Sequence, residues 1–215
     1  MKYVHLTPQK NISRVLKNGI RMGNGSMGRG VYLTPLVLLP YLDESGEVAK
    51  VSIPISTSRE WLNWAKHRSR FLGRKPEGVA AIVVDIPGRF YPVQINLISM
   101  SEEYKKSIEA IWDTVNKGVS GVSMPDLEDR VCFSEYLKNP IGNWAFRLMV
   151  ADRKAMGKLV NVFRESGGIL WGCDLQVVVV AHLPSSCIKK VVPLYRTNKA
   201  FSIKRHGRRR SNPGE

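Results

Sequence analysis

The sequence predicts a single α/β (α+β) domain, and three observations predict it. Apolar runs of strand length recur at residues 2–6, 30–34, 78–87 and 173–184. Between them lie segments with helical periodicity and recognisable start and stop residues. A length of 215 residues, with 43% hydrophobic and 24% charged content, suits one globular core. The domain is expected to span 1–196. Residues 197–215 form a basic tail without periodicity, and disorder is the expectation there.

The elements follow in order. Residues 2–6 read as a strand. Thr7 has the chemistry of an N-cap and Pro8 suits a first helical position, with Ile12, Val15 and Leu16 at helical spacing and Gly19 as the stop. MGNGSMGRG at 22–30 reads as a flexible Gly-rich loop, and GVYLT at 30–34 as the next strand, ended by Pro35. Alternation predicts a strand over 48–56. Residues 58–72 read as a helix with Trp61 and Trp64 on an apolar side and Lys66, His67, Arg68 and Arg70 on a basic one. GVAAIVVDIP at 78–87 is a buried strand, and 91–98 a further one. Residues 101–118 start with a cap and an acidic turn, which predicts a helix. Residues 119–150 carry no clear pattern and read as an insert or recognition loop. A helix over 151–166 ends before Gly167-Gly168. A strand over 173–184 is broken by Pro184, and 187–195 returns as a strand.

The formal charge is +15. The stretch from Arg196 to Glu215 holds Arg196, Lys199, Lys204, Arg205, Arg208, Arg209 and Arg210 against Glu215, a net of +6, which leaves +9 on the residues before it. A body and tail that are both basic point to an anionic partner, nucleic acid first and an acidic protein or membrane surface second. Cys132, Cys173 and Cys187 are widely spaced, with no CxxC pair, so neither a zinc site nor a disulfide framework is expected. Free thiols and a start without an apolar leader make a cytoplasmic protein the expectation, and no apolar run is long enough to span a bilayer. No phosphate-binding GxxxxGK[ST] loop, Rossmann fingerprint, serine elbow or HExxH occurs, which weighs against ATPase, dehydrogenase, serine hydrolase and zincin chemistry.

Three segments carry a resemblance. YVHLTPQKNISRVLKNGI places a His at the end of an apolar strand. GRGVYLT places a Tyr after a Gly on the next. LQVVVVAHLPSSCIKKVV places a Gln at the head of a late strand that ends in a Pro-containing turn. In this order they resemble the ADP-ribosyltransferase superfamily, in the H-Y-[E/D/Q] branch that includes the poly-ADP-ribose polymerases and the DarT-type DNA-modifying toxins. The resemblance reaches both ends of the domain, and 95–170 matches little. It implies a split, mostly antiparallel β core with flanking helices.

It also implies NAD+ as a substrate, no metal, and residue roles. His5 would hydrogen-bond a ribose hydroxyl and Thr7 would orient that edge. Backbone near His5 and Thr34 would grip the nicotinamide amide. Tyr32 would stack on the nicotinamide ring, with Tyr41 on its other side. The glycines up to Gly30 would let backbone approach the dinucleotide. At the third catalytic position stands Gln176, where Glu is commonest. At 4 Å and an effective dielectric of 20, a carboxylate beside the developing oxocarbenium charge would be worth about 4 kcal/mol. Gln keeps a hydrogen bond and loses that attraction, which favours single transfer over chain formation. Asp174, two residues earlier, and Glu135, in the unmatched segment, are the other candidates for the third group. Trp144 or Tyr136 would stack on an unpaired acceptor base. The expected activity is mono-ADP-ribosylation of DNA or RNA by a bacterial or phage toxin or defence protein, with an antitoxin partner. An NAD-dependent RNA 2′-phosphotransferase, a protein-directed transferase and an inactive nucleic-acid-binding module are the alternatives.

Overall fold

The computed structural model describes residues 1–25, 28–38, 79–99, 105–125, 130–131, 134–135, 138, 144–168 and 175–194. The expected strand 48–56, the helix 58–72, Tyr41, Cys132, Tyr136, Cys173, Asp174 and the basic tail lie outside the described residues.

The described residues include nine strands and the three α-helices named below, an α+β fold around one mostly antiparallel sheet. The strands are β1 (Lys2–Pro8), β2 (Gly23–Gly25), β3 (Gly28–Pro35), β4 (Val79–Asp85), β5 (Val93–Ser99), β6 (Val122–Ser123), β7 (Trp144–Val150), β8 (Leu175–Val179) and β9 (Ile188–Leu194). The helices are α1 (Ile12–Asn18), α2 (Lys105–Asn116) and α3 (Arg153–Glu165). The sheet runs β6-β7-β5-β8-β3-β1-β4-β9, with β2 a hairpin partner of β3.

The most apolar strands take the most enclosed places. Ala80 to Val84 of β4 are wholly buried between β1 and β9. All of β8 is buried between β5 and β3. Strands enclosed on both sides and both faces need continuous apolar runs, which VAAIVV and VVV supply. Leu33, Ile95, Leu97, Leu175 and Val177 belong to the same core as Ile108 and Ile111 of α2 and Met156, Leu159, Val160 and Phe163 of α3. Asp152 caps α3 by accepting from the Lys154 and Ala155 amides, both at 2.8 Å. That cap satisfies two of the helix's unpaired first-turn N–H groups.

Several sequence expectations change. β1 continues through Thr7 and Pro8, which pair with Ala80 and Val79. Thr7 is therefore a buried strand residue and not a helix cap. The long β1–β4 ladder outweighs the local capping preference. The Gly-rich segment is a hairpin, with Gly23 paired to Gly30 and Gly25 to Gly28. Trp144–Val150, part of the segment that carried no clear pattern, is a strand paired along its length with β5.

Tyr3 ties the edge of this core. Its hydroxyl lies 2.8 Å from that of Tyr91. Burial pushes the Tyr3 hydroxyl far above the ordinary tyrosine range, with Tyr91 adding to the rise, and burial raises Tyr91 as well. The unfolded chain loses these protons near pH 10 while the folded chain keeps them. Their stabilising effect is thus intact below about pH 10 and declines as pH rises further. Urea midpoints between pH 8 and 11.5 are expected to fall steeply in the parent above pH 10. Tyr3→Phe should show a shallower fall, with a loss of about 1 kcal/mol at pH 8 from the missing hydrogen bond.

Candidate functional site

The sheet comes apart between β1 and β3. These two strands pair only through Tyr3–Pro35 and Val4–Thr34. Beyond Val4, β1 follows β4, with His5 opposite Ile82 and Thr7 opposite Ala80. β3 follows β8, with Tyr32 opposite Val178 and Leu33 opposite Val177. Each strand keeps one neighbour and loses the other, and a cleft of about 380 Å³ opens alongside. This volume lies within the range of small-ligand sites.

The cleft gathers what the sequence scattered. His5, Thr7, Gly30, Tyr32, Thr34 and Gln176 all line it. The His5 ring bridges the gap, with Nδ1 3.0 Å from the Tyr32 carbonyl. A carbonyl can only accept, so Nδ1 is the donor in this contact. The Tyr32 hydroxyl donates to the Gly28 carbonyl at 2.8 Å, which fixes the ring along its own hairpin. Gly25 lies under that ring, and a Cβ there would overlap it. The glycine in the hairpin is thus a matter of space as well as of backbone freedom.

Gln176 enters from β8. It is 9% exposed, and its Oε1 is buried without a hydrogen-bond partner among the described residues. An orphaned buried acceptor costs about 1–3 kcal/mol. Of the other candidates for a third group, Glu135 is exposed in helical backbone and does not line the cleft among the described residues.

The structure adds residues that single motifs could not reveal. Asn11, Arg14 and Asn18 of the α1 region, Arg21, and Asn24 of β2 also line the cleft. Their signal lies in the sequence all the same: no Asp or Glu precedes Asp43, while Lys2, Lys10, Arg14, Lys17, Arg21 and Arg29 do. Among the described residues the lining holds two guanidinium groups and no carboxylate. The cleft is therefore electropositive. Arg14 and Arg21 make no ion pair among the described residues, whereas Arg153, on another face, bonds Asp85 at 3.1 Å.

The outer wall is tied down from the far end of the chain. Ile20 and Leu183 exchange backbone hydrogen bonds of 2.8 and 2.9 Å. The Met22 amide donates to His182 Nδ1 at 3.0 Å. Gly19, with φ of 77°, ends α1 in a conformation that disfavours side chains, and a Cβ there would collide with the Leu183 carbonyl.

Cys187 is buried, and burial raises its thiol. Among the described residues no three His, Cys, Asp or Glu side chains cluster to hold a metal ion. No helix among them is long and apolar enough to cross a membrane. Comparison with protein-family models, with curated proteins and with solved structures finds no match to this chain.

Proposed function

We propose that this cleft binds NAD+ and that the chain transfers a single ADP-ribose to a nucleic-acid acceptor, DNA or RNA. One observation carries the reading: His5, Tyr32 and Gln176, from three different strands, line the same cleft together with Thr7, Gly30 and Thr34. Sequence resemblance picked these residues one by one, and their convergence supports a shared ligand.

In this reading Tyr32 stacks on the nicotinamide ring, and His5 and Gln176 hydrogen-bond the ribose. Arg14 and Arg21 offset the negative diphosphate. The bond from ribose C1′ to the nicotinamide nitrogen breaks, and nicotinamide leaves as a neutral molecule with the electron pair. A nucleophilic nitrogen or oxygen of the acceptor forms the new bond to C1′ and releases its proton to solvent. Exposed Lys10, Lys17 and Arg29 extend the positive charge of the cleft along α1 and the hairpin, which suits a phosphate backbone. The setting would be a bacterial or phage toxin or defence protein with a matching antitoxin.

A second reading has an observation of its own. The described lining holds no carboxylate to oppose an oxocarbenium charge, which favours a binding module that kept the fold and lost the chemistry. Mass spectrometry of oligonucleotides incubated with the protein and NAD+ separates the two. A gain of one ADP-ribose supports transfer, and binding of both ligands without any gain sinks it.

Gly25 offers a check on Tyr32 stacking. Gly25→Val is expected to push the ring from its place and weaken NAD+ about tenfold, near 1.4 kcal/mol. Gly25 is exposed, so the thermal midpoint should hardly move. Calorimetric titration beside a melting curve measures both.

A further inference from the structure

Three amides form a row across the sheet. Gln94 and Asn96 stand two residues apart on β5, and Asn96 pairs directly with Gln176 on β8, so all three side chains share one face. Gln94 is half-buried and donates from Nε2 to Asn96 Oδ1 at 3.1 Å. Asn96 is wholly buried, and its Nδ2 has no partner among the described residues. The Gln176 Oε1 is the matching orphan. One is a donor and the other an acceptor, on residues whose Cα atoms a direct antiparallel pairing holds about 4.5–5.5 Å apart.

We infer that Gln94 and Asn96 are positioning residues that decide which end of the Gln176 amide faces the cleft. An amide donates at one end and accepts at the other, so a row of amides has a direction. Gln94 spends its NH2 group on Asn96 Oδ1. The Asn96 group left without a partner is Nδ2, and the complementary end of Gln176 is Oε1. A bond between these two atoms would satisfy both orphans and turn Gln176 Nε2 toward the cleft. Gln176 thereby presents a donor, matched to a ribose or phosphate oxygen lone pair and not to a hydroxyl proton. The specificity of the cleft at this point is set by a residue, Gln94, that does not line it. The ligand identity rests on the proposed NAD+ site; the direction of the row does not.

Side-chain amide hydrogen exchange of the 15N-labelled full chain reads the row without any ligand. The Gln176 NH2 group is expected to exchange quickly and that of Asn96 at least about tenfold more slowly. A carboxylate at position 94 can only accept, so Gln94→Glu should reverse the row. Asn96 then donates to that carboxylate and accepts from Gln176, whose NH2 slows by about tenfold. Slow Gln176 exchange in the parent, or no change in a folded Gln94→Glu variant, overturns the inference. If that variant does not fold, Asn96→Leu serves: it should shift the Gln176 side-chain resonances, and unshifted resonances overturn the inference. Adding NAD+ to the same samples tests the other reading separately. The expected amide order without NAD+-induced shifts at His5 and Tyr32 would support the row and sink the NAD+ site.

Discussion

His5→Ala is expected to reduce transfer at least about 100-fold and to weaken NAD+ binding with it. The imidazole serves twice in the proposed site. Its Nδ1 holds the Tyr32 carbonyl across the gap where the β1–β3 ladder has ended, and its other nitrogen faces the ligand in the proposed pose. Removing it costs a ligand hydrogen bond and frees the strand that carries Tyr32. Two such losses of about 1.4 kcal/mol each make the factor of 100. His5 is only half-buried, so the fold should survive with a loss of about 1 kcal/mol. Rates by oligonucleotide mass spectrometry, affinity by calorimetry and stability by urea titration report the three effects. A folded His5→Ala protein with transfer within threefold of the parent would place the chemistry elsewhere.

The second large effect is expected at position 176. Gln176→Ala should lower transfer by about tenfold or more, because the ribose loses a hydrogen bond. Gln176→Glu should raise it. A carboxylate at 4 Å from an oxocarbenium charge is worth about 4 kcal/mol at an effective dielectric of 20. Part of that is lost to burial, since position 176 is 9% exposed, and a gain of about 10- to 100-fold is the expected remainder. Asn96 Nδ2, unpartnered among the described residues of the parent, stands ready to donate to one carboxylate oxygen. Burial raises a carboxyl placed there. The stimulating form is the ionised one, so the gain should increase with pH across the carboxyl's titration. A pH–rate profile of Gln176→Glu against the parent measures it, and a flat ratio with no gain would separate Gln176 from the reacting centre.

Much of the frame could be read along the chain. β4 and β8 were legible because enclosed strands need apolar runs, and VAAIVV and VVV supply them. The stop of α3 at Gly167 was legible because φ of 94° favours glycine. β7 was not, although Phe146, Leu148 and Val150 alternate toward the core. Its partner β5 is far away in sequence. Thr7–Pro8 misled because a capping signal is local, and the pairing with β4 that overrides it is not.

The site divides in the same way. His5, Tyr32 and Gln176 stood out as polar groups on apolar strands, and the sequence alone determined their identity, the missing carboxylate at 176 and the surplus of positive charge. Only the tertiary structure decided that they meet. The meeting depends on β1 and β3 parting after two residue pairs, and that split follows from competition between ladders: β4 holds one strand and β8 the other. Arg14, Arg21 and Asn96 became part of the argument for the same reason. Their positions relative to Gln176 are properties of register and packing, which no local pattern of residues encodes.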